Sequence, residues 1–531
     1  MGRITVRDAV FDFLRQSGVD TVFGNPGSTE IRMLRNWPPD LRYVLGLQES
    51  VVVAMAAGHA IGTGRPGVAS LHSAGGVGHG LGAVFNAYRD RVPLIVIAGQ
   101  QTREMLPVRP FLAADEPAAF PRPYVKWSAQ PDRAEDVPAA LAEAYRMAMA
   151  PPRGPVFLSV PEDDWDRPAA LLHTRPQHDD FVASPAALGE VAAALTNARR
   201  PVLVIGAGVD GEGAQDLAVE LAERVTAAVW ITPLSGRSGF PEDHRLFQGF
   251  LPPVRDQIAA ILDGHDVVVS LGGPIFKYHV HTEGPYLPPG TQLFHLDSDP
   301  REAAWAPAGT TVLTTVREGL AVLLDLVEKR FRPEPPPRPR PEAAPRRDPI
   351  GPALAIDTLR SVVPDDVVVV EEIPSHREQF HARFPITRPG GFLTTGSGAL
   401  GWGLPLAVGR ALAGGERVVC VAGDGSSMYS IQAIWSAVRY RAPVTFVIFN
   451  NHGYEAVKQL GRRLGTAELV GTDIHRIDFV TVAHGLGCLG TRVPDFSKLE
   501  DALAHGLSVK GPFLVEVPIA EDGGSAYPDR A

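Results

Sequence analysis

The sequence predicts an α/β protein made of three doubly wound domains, each built on a parallel sheet. Short apolar runs such as VLVIGAG (202–208) and VVCVAGDG (418–425) have the length and composition of strands that are buried on both faces. Amphipathic segments of helical length, such as SPAALGEVAAALTNA (184–198), lie between these runs. Strands that alternate with helices are typical of parallel sheets covered by helices.

Two polar segments divide the chain into three blocks. The 531 residues are enough for about three domains of roughly 150 residues each. Residues 331–349 are dense in Pro and charge, and residues 166–184 are polar without periodicity, so both are predicted to be linkers. We predict an N-terminal domain at 1–165, a central domain at 185–330 and a C-terminal domain at 350–531.

The composition argues against several classes of partner. With a net charge of −10 and a pI near 5.9, the chain has no basic surplus for a nucleic acid or an anionic membrane. No apolar run approaches the roughly 20 residues of a membrane span, and the first residues lack a signal-peptide pattern. Cys420 and Cys488 follow no metal-ligand or redox spacing. We predict a cytoplasmic protein.

The first and third blocks share a pattern. RDRVPLIVIAG (89–99) and RYRAPVTFVIFN (439–450) are similar, and each follows an apolar strand, a Gly-rich loop and a helix-like segment. Two related domains could hold one ligand between them. The alternative is a chance similarity between two α/β units.

A phosphate and metal site is predicted in the third block. Gly423-Asp424-Gly425 ends an apolar strand, and Asn450-Asn451 follows after a gap with the length of a helix plus a strand. Ligands of open α/β sheets bind at the carboxyl ends of strands, where the N–H groups of a helix start suit a phosphate. Asp and Asn supply the hard oxygen ligands that suit Mg²⁺. The alternative is that Gly423-Asp424-Gly425 is an ordinary turn and Asn450-Asn451 an ordinary strand end.

This spacing resembles the signature of the thiamine-diphosphate enzyme superfamily, in which GDG is followed by NN at about this distance. The resemblance implies thiamine diphosphate and Mg²⁺ as cofactors. It implies the side chains of Asp424 and Asn451 and the carbonyl of Gly453 as metal ligands. It also makes the N-terminal domain the pyrimidine-binding domain, the central domain Rossmann-like, and the C-terminal domain the diphosphate-binding domain.

The same resemblance implies a glutamate that bonds the aminopyrimidine ring and helps the cofactor lose a proton from its thiazolium carbon. Glu49 lies in YVLGLQESVVVAMAAGHAIG (43–62), before a nearly all-apolar segment that we expect to be a buried helix. A carboxyl group in apolar surroundings is suited to such proton transfer. A polar residue at a helix start is the alternative for Glu49.

Further cofactor contacts are implied in TTGSGALGWGLP (394–405). The Gly398 carbonyl would accept a hydrogen bond from the cofactor amino group. Leu400 would be the apolar wedge that bends the cofactor, or else simply a core leucine. The remaining cofactor contacts that the resemblance implies are Asn25, Ser375, Gly423, Gly425, Ser426 and Tyr454.

Three further motifs narrow the branch of the superfamily. GNPGSTE puts Ser28 in a Gly-rich turn, LHSAGG puts His72 at a strand end, and GGPIFKYH puts His279 after a strand of the middle block. Together with AGQQTR, RPYVKWS and PVFLSVPEDDWD, these motifs resemble the benzoylformate decarboxylases, in the same order and over nearly the whole chain.

The resemblance implies a role for each of these residues. Ser28 would bond the substrate carboxylate, and His72 would move protons while the substrate adds. His279 would protonate the carbon that CO₂ leaves. Histidine suits these steps because its ordinary pKa lies near the operating pH. The alternatives are that Ser28 only caps a helix and that the histidines are structural.

The substrate pocket departs from the family pattern. The family holds a phenyl ring with bulky aromatic residues, whereas the matching positions here are Thr394 and Leu460. Ala456 keeps a small residue in the pocket, and Ser28 completes it. The substrate is therefore open between benzoylformate and another aryl or branched 2-oxo acid.

The sequence predicts a carboxy-lyase that converts a 2-oxo acid to an aldehyde and CO₂, with carboligation as an additional activity. An acetolactate-synthase-like carboligase and a non-catalytic cofactor-binding protein are the alternatives. GAGVDG (206–211) fits a dinucleotide fingerprint, such as one for FAD, but no acidic residue ends the next strand, so a structural turn is favoured. The family resemblance also implies a homo-oligomer, a dimer or a homotetrameric dimer of dimers.

Overall fold

The structure of the chain, a computed structural model, describes residues 4–466 and 468–521. Its strands form three six-stranded sheets, and the neighbouring strands within each sheet run parallel. Helices cover the sheets. The predicted fold class, three doubly wound α/β units, is therefore confirmed.

The first sheet holds the N-terminal part of the chain. Its strands are β1 (Thr21–Gly24), β2 (Arg42–Leu45), β3 (Gly67–Leu71), β4 (Leu94–Gln100), β5 (Ser128–Ala129) and β6 (Pro155–Pro161). Its helices are α1 (Val6–Gln16), α2 (Ile31–Leu34), α3 (Glu49–Thr63), α4 (Ser73–Arg89) and α5 (Val137–Met149). The strand order is β2-β1-β3-β4-β6-β5, so the chain reverses its direction across the sheet between β1 and β3.

The second sheet holds the middle of the chain. Its strands are β7 (Pro201–Ile205), β8 (Ala228–Ile231), β9 (Phe247–Phe250), β10 (Val267–Leu271), β11 (Gln292–Asp297) and β12 (Thr310–Leu313). Its helices are α6 (Pro185–Asn197), α7 (Ala207–Gly211), α8 (Gln215–Val225), α9 (Arg255–Ile261), α10 (Pro300–Trp305) and α11 (Val316–Leu326). The strand order is β12-β11-β10-β7-β8-β9, with the reversal between β7 and β10.

The third sheet holds the C-terminal part. Its strands are β13 (Val368–Glu372), β14 (Phe392–Thr394), β15 (Val418–Gly423), β16 (Val444–Asn450), β17 (Leu489–Arg492) and β18 (Phe513–Pro518). Its helices are α12 (Pro352–Val362), α13 (Arg377–Arg383), α14 (Gly403–Gly414), α15 (Asp424–Met428), α16 (Ala433–Tyr440), α17 (Glu455–Arg463), α18 (Phe479–Gly485) and α19 (Leu499–Ser508). The strand order is β14-β13-β15-β16-β18-β17.

The first and third sheets have the same topology. Matching β1 with β13 and continuing along the chain reproduces the strand order of one sheet in the other. The similar segments 89–99 and 439–450 then fall on equivalent strands, β4 and β16. This agreement supports the interpretation that the two domains are related and weakens the alternative of a chance similarity.

The equivalent helices α3 and α14 pack directly against each other. A Cβ atom at Gly58 would lie 2.1 Å from the Leu406 carbonyl oxygen, and one at Gly409 would lie 1.9 Å from the Met55 carbonyl oxygen. Only glycine permits so close an approach of two helix backbones. Buried apolar side chains of both helices belong to one core that joins the first and third domains.

The predicted linkers contain no α-helix or β-strand in the described part of the chain. The 3₁₀ helix Glu162–Asp166 ends where the first predicted linker begins, and α6 starts just after it. Between α11 and α12 the chain is likewise without a regular element. The exact domain limits remain a prediction from the sequence. In the ranges that the structure describes, no helix has both the length and the apolar character to cross a membrane.

Candidate active site

Four neighbouring strands of the third sheet bring the predicted diphosphate-binding residues to one edge. The strands β14, β13, β15 and β16 are adjacent and parallel, so their carboxyl ends lie side by side. The segments that follow them contain Gly398, Ser375, Asp424 and Asn451 in that order across the sheet. The direction of the chain reverses between β13 and β15, which is where open α/β sheets bind their ligands.

Three oxygen atoms converge at this edge. The side-chain oxygen of Asn451 lies 2.9 Å from the Gly453 carbonyl oxygen and 3.3 Å from Asp424 Oδ1. Asp424 and Asn451 are 3% and 7% exposed, so water screens little of the repulsion between these acceptors. A divalent cation satisfies all three oxygens together. Without a cation, a rotated Asn451 amide can donate to both neighbours instead.

Backbone N–H groups stabilise the negative charge of Asp424, which burial would otherwise disfavour. Burial raises the pKa of Asp424, while hydrogen bonds from the backbone N–H groups of Gly425 and Gly453 act in the opposite direction. One carboxylate, one amide and one carbonyl form a set of hard oxygens that fits Mg²⁺. Among the described residues, no group of three His, Cys, Asp or Glu side chains forms an additional metal site.

Packing explains the identities of neighbouring residues in the GDG and NN motifs. A Cβ atom at Gly425 would lie 2.6 Å from the ring of Tyr454, so glycine is needed where that ring covers the turn. Asn450 has a different task from Asn451, because it donates to Glu516 and accepts from the N–H of His452. The first asparagine therefore shapes the loop, and the amide of the second faces Asp424 and Gly453, where the cation site is predicted.

The loop between β14 and α14 carries Gly398 and Leu400. Gly398 is exposed with a φ of +82°, and Leu400 is half-buried. Glu372 accepts hydrogen bonds from the N–H groups of Trp402 (3.1 Å) and Gly403 (3.0 Å), which fixes the end of this loop. Burial raises the pKa of Glu372 to about 7.

The other predicted residues of this edge are placed as follows. Thr394 is buried, and its hydroxyl group donates to Glu371 and accepts from Arg377. These bonds give Thr394 a structural task, and its place in the substrate pocket remains a prediction. Ala456 and Leu460 are half-buried and lie one turn apart on α17, so they share a face of that helix. The half-buried Ser375 and the buried Ser426 lie at the ends of neighbouring strands.

The first sheet brings a second group of predicted residues together at its own carboxyl edge. Asn25 follows β1, and Glu49 begins α3 after β2. Glu49 is 8% exposed, and its Oε1 accepts from Asn25 Nδ2 at 3.1 Å. Its Oε2 lies 3.2 Å from Nδ1 of the exposed His79. Both carboxylate oxygens are therefore held in place at the end of a buried helix.

His72 follows β3 at the same edge and is held by an acidic residue that the sequence did not single out. His72 Nδ1 lies 3.1 Å from Glu30 Oε2 and 2.9 Å from Thr29 Oγ1. Since the carboxylate is an acceptor, the assigned proton sits on Nδ1 and Nε2 is the free nitrogen. A Cβ atom at Gly27 would lie 2.4 Å from the imidazole, which explains this glycine of GNPGSTE.

Ser28 lies in the turn beside this histidine. It is exposed and begins the 3₁₀ helix Ser28–Glu30, whose N-cap is Gly27. The alternative interpretation, in which Ser28 caps the helix, therefore loses support. His279 is exposed on the segment after β10, where its backbone N–H donates to the Pro253 carbonyl at 2.9 Å. It is the only predicted catalytic residue that lies in the middle domain.

The family of the chain follows from comparisons with known proteins. Three family models match in order along the chain: thiamine pyrophosphate enzyme, N-terminal TPP binding domain (residues 4–118), central domain (188–323) and C-terminal TPP binding domain (373–517). A benzoylformate decarboxylase from Pseudomonas aeruginosa is 41% identical over 520 residues, which are 97% of this chain and 98% of that protein. The chain belongs to the thiamine-diphosphate-dependent 2-oxo acid decarboxylase family.

Solved structures of family members have the same architecture. A benzoylformate decarboxylase from Polynucleobacter necessarius superposes with a TM-score of 0.96 at 36% identity, covering 98% of this chain and 99% of that chain. A thiamine diphosphate-dependent 4-hydroxybenzoylformate decarboxylase from Rhodococcus jostii RHA1 superposes with a TM-score of 0.95 at 38% identity and the same coverage. Acetolactate synthase large subunits are similar at the lower identities of 24% to 29%. The resemblance predicted from the motifs is therefore confirmed.

In the middle domain, the glycines of GAGVDG (206–211), the segment that fits a dinucleotide fingerprint, serve packing. A Cβ atom at Gly206 would lie 2.4 Å from the Gly272 carbonyl oxygen, and one at Gly208 would lie 2.8 Å from the same atom. The two glycines thus allow the turn after β7 to contact the turn after β10. This contact supports the interpretation of GAGVDG as a structural turn.

Proposed function

We propose that the protein is a thiamine-diphosphate- and Mg²⁺-dependent carboxy-lyase that converts an aryl or branched 2-oxo acid to an aldehyde and CO₂. One observation carries this proposal. Two related sheets present complementary edges, one with an oxygen set for a cation and one with a buried carboxylate beside a held histidine. The similarity to benzoylformate and 4-hydroxybenzoylformate decarboxylases supports an aryl substrate.

The residues of the third-domain edge are assigned to holding the cofactor. Asp424 Oδ1, the Asn451 amide oxygen and the Gly453 carbonyl would bind Mg²⁺, which in turn would bind the diphosphate. Ser375 and Ser426, together with the backbone at Gly423 and Gly425, would contact the diphosphate oxygens, and Tyr454 covers this turn. When bound, thiamine diphosphate would supply a nucleophilic carbon for the keto group, and its cationic thiazolium ring would accept the electron pair left by CO₂.

The residues of the first-domain edge are assigned to proton transfer and substrate binding. Glu49 would hold and release a proton at its carboxyl group, which Asn25 fixes by a hydrogen bond at 3.1 Å. His72 would move a proton between its free Nε2 and the keto oxygen, with Nδ1 held by Glu30. The exposed Ser28 hydroxyl would donate to the substrate carboxylate, and His279 would give a proton to the carbon that loses CO₂.

The protein is proposed to act as a homo-oligomer, a dimer or a dimer of dimers. The two sets of predicted residues lie at the edges of two separate sheets of the chain. Exposed large apolar side chains occur near both edges, with Ile31 61% and Leu47 44% exposed in the first domain, and Tyr429 56% and Leu464 71% exposed in the third. Pairing of two copies would cover these side chains and bring complementary edges together. A cytoplasmic location without nucleic-acid or membrane partners remains a prediction from the composition and sequence pattern.

A panel of 2-oxo acids with thiamine diphosphate and Mg²⁺ tests the proposal. Benzoylformate, 4-hydroxybenzoylformate, branched 2-oxo acids and pyruvate are each scored for CO₂, aldehyde and carboligation products. The expected result is equal amounts of aldehyde and CO₂ from an aryl or branched acid. The Glu49→Gln variant, assayed in parallel, is the control for product formation that does not depend on the proposed site. Acetolactate from pyruvate as the main product would favour the acetolactate-synthase alternative, and no turnover with any acid would favour a non-catalytic binding protein.

A further inference from the structure

The loop at residues 395–399, between β14 and α14, is held by side chains from the other two domains. This loop contains Gly398, whose carbonyl is assigned to the cofactor amino group. Leu400 follows directly after the loop. A loop with an exposed glycine at its tip needs external support to keep one conformation. The contacts on its other side supply that support.

The first contact comes from Asn86, on the last turn of α4 in the first domain. Asn86 is 2% exposed, and its Nδ2 donates to the Ala399 carbonyl at 3.0 Å. Its Oδ1 accepts from Thr395 Oγ1 at 3.2 Å and also from Ser397 Oγ. A single buried amide therefore binds the loop at both its ends.

The second contact holds both backbone polar groups of Gly396, its N–H and its carbonyl. Asp90, just after α4, accepts from the Gly396 N–H at 3.0 Å. Lys277, in the middle domain, donates from Nζ to the Gly396 carbonyl at 2.5 Å and to the Leu234 carbonyl at 3.2 Å. A Cβ atom at residue 396 would lie 2.5 Å from Asp90 Oδ1, so this contact requires glycine.

Burial disfavours the charged forms of both Asp90 and Lys277. Burial lowers the pKa of Lys277 and raises the pKa of Asp90 to about 6, and each charge partly offsets the effect on the other. Asp90 Oδ2 is buried and has no hydrogen-bond partner among the described residues. Buried charges of this kind contribute little net stability, and fixing one geometry is their better-attested use.

We propose that Asp90 and Lys277 are positioning residues for cofactor binding. By fixing the N–H and the carbonyl of Gly396 from two domains, they set the direction of the Gly398 carbonyl and the place of Leu400. The middle domain, in which no cofactor-binding residue was predicted, thereby acts on the cofactor loop through one lysine. This inference rests on the proposed function, because it takes the loop at 395–399 to contact thiamine diphosphate.

The test is the affinity for thiamine diphosphate, measured by isothermal titration calorimetry with Mg²⁺ in excess. Lys277→Met and Asp90→Asn remove a charge with little change of shape. Each should weaken binding about tenfold or more, because Lys277→Met removes the charged donor to the Gly396 carbonyl and Asp90→Asn replaces the charged acceptor of the Gly396 N–H by a weaker neutral one. Activity at saturating cofactor should recover most of the wild-type kcat, since neither residue is assigned to the reaction itself.

Asp297→Asn is the matched control. Asp297 is 4% exposed and forms a two-point ion pair at 2.7 and 3.1 Å with Arg91, the residue after Asp90. This pair also joins the first and middle domains but makes no described contact with the loop at 395–399. Asp297→Asn should lower the melting temperature and leave the dissociation constant for thiamine diphosphate within about twofold of wild type.

Chemical rescue separates a positioning role from a purely structural one, because an added cation would restore cofactor affinity only if the ammonium group itself positions the loop. A cavity of about 470 Å³ is lined by Lys277, Asp90 and Gly396, so a small cation can reach the place of the lost ammonium group. Lys277→Ala should regain thiamine diphosphate affinity in ethylammonium chloride and not in sodium chloride of equal strength. The proposal is contradicted if ethylammonium does not restore the affinity of Lys277→Ala. It is also contradicted if ethylammonium raises the affinity of Asp297→Asn by the same factor.

The outcomes separate this inference from the proposed function. If the wild-type protein does not bind thiamine diphosphate, the proposed function itself fails. If the wild type binds it and both charge variants bind equally well, only the positioning inference is overturned. Should Asp90→Asn prove insoluble, the Lys277 variants and their rescue decide the question.

Discussion

Replacing Glu30 by Gln tests whether this carboxylate prepares His72 for proton transfer. Glu30 is 2% exposed, and its Oε2 lies 3.1 Å from His72 Nδ1 and accepts from the Gly27 N–H at 2.8 Å. The carboxylate accepts only, so the ring proton is kept on Nδ1 and Nε2 faces outward as the free base. A neutral amide at position 30 is a weaker acceptor than the carboxylate, so it holds the proton on Nδ1 less firmly.

The magnitude follows from the single hydrogen bond that bears on the reaction. A hydrogen bond to a charged group contributes about 1.5–3 kcal/mol. Since each 1.36 kcal/mol of barrier is a factor of ten, Glu30→Gln should lower kcat/KM roughly 10- to 160-fold. The affinity for thiamine diphosphate should change little, because Glu30 lies with the substrate-side residues and not at the cation site.

The assay is steady-state release of aldehyde and CO₂ at saturating cofactor and Mg²⁺. Asp164→Asn is the control, because Asp164 is fully buried in the same domain and bonds Arg103 at 2.7 Å through two nitrogen atoms. It should lower thermal stability while leaving kcat/KM per folded protein unchanged. The reasoning is refuted if Glu30→Gln stays within threefold of wild type, or if Asp164→Asn loses as much activity.

Three other predictions concern Glu49, Asp424 and Glu372. Glu49→Gln should bind cofactor yet lose about 10²- to 10⁴-fold in kcat, and more than a tenth of wild-type turnover in a steady-state assay would contradict its role in proton transfer. Asp424→Asn should raise the Mg²⁺ concentration for half-maximal activity about tenfold or more in a metal titration, because the charged ligand is lost; an unchanged titration would be evidence against the cation site. The pKa of Glu372 is raised from 4.5 to about 7, so its contribution to stability is complete below pH 4.5 and lost as the pH rises through 7. Between pH 5 and 8 the free energy of unfolding, measured by urea denaturation, should therefore fall more for wild type than for Glu372→Gln. An equal fall for the two proteins would contradict this.

The local spacing of the sequence was enough to predict that Asp424 and Asn451 meet at one sheet edge, and their role as cation ligands stays a prediction. Gly423-Asp424 and Asn450-Asn451 are separated by one helix and one strand, which in a parallel sheet return the chain to the same edge. Glu49 was singled out for a similar reason, since it stands between a short strand and a mostly apolar helix, and its role in proton transfer stays a prediction. Each of these residues owes its place to the regular geometry of the element beside it.

Contacts between distant segments were beyond the reach of the sequence. Glu30 is part of the motif GNPGSTE, yet its pairing with His72, 42 residues away, depends on β1 and β3 being neighbours. Lys277 lies 119 residues from Gly396, and no periodicity relates the two. The hydroxyl group of Thr394 was expected in the substrate pocket, but its bonds to Glu371 and Arg377 depend on the register of β13 with β14.

One helix connects the two sets of assigned residues within the chain. Helix α4 begins immediately after His72. Asn86, in its last turn, and Asp90, just after it, hold the loop at 395–399. Its 17 residues span about 25 Å at 1.5 Å per residue. If complementary edges of two subunits form each site, α4 of one subunit carries the histidine of one site and supports the cofactor loop of the other. Oligomerisation and loop positioning are then linked, because a subunit cannot shift one end of this helix without disturbing the site at its other end.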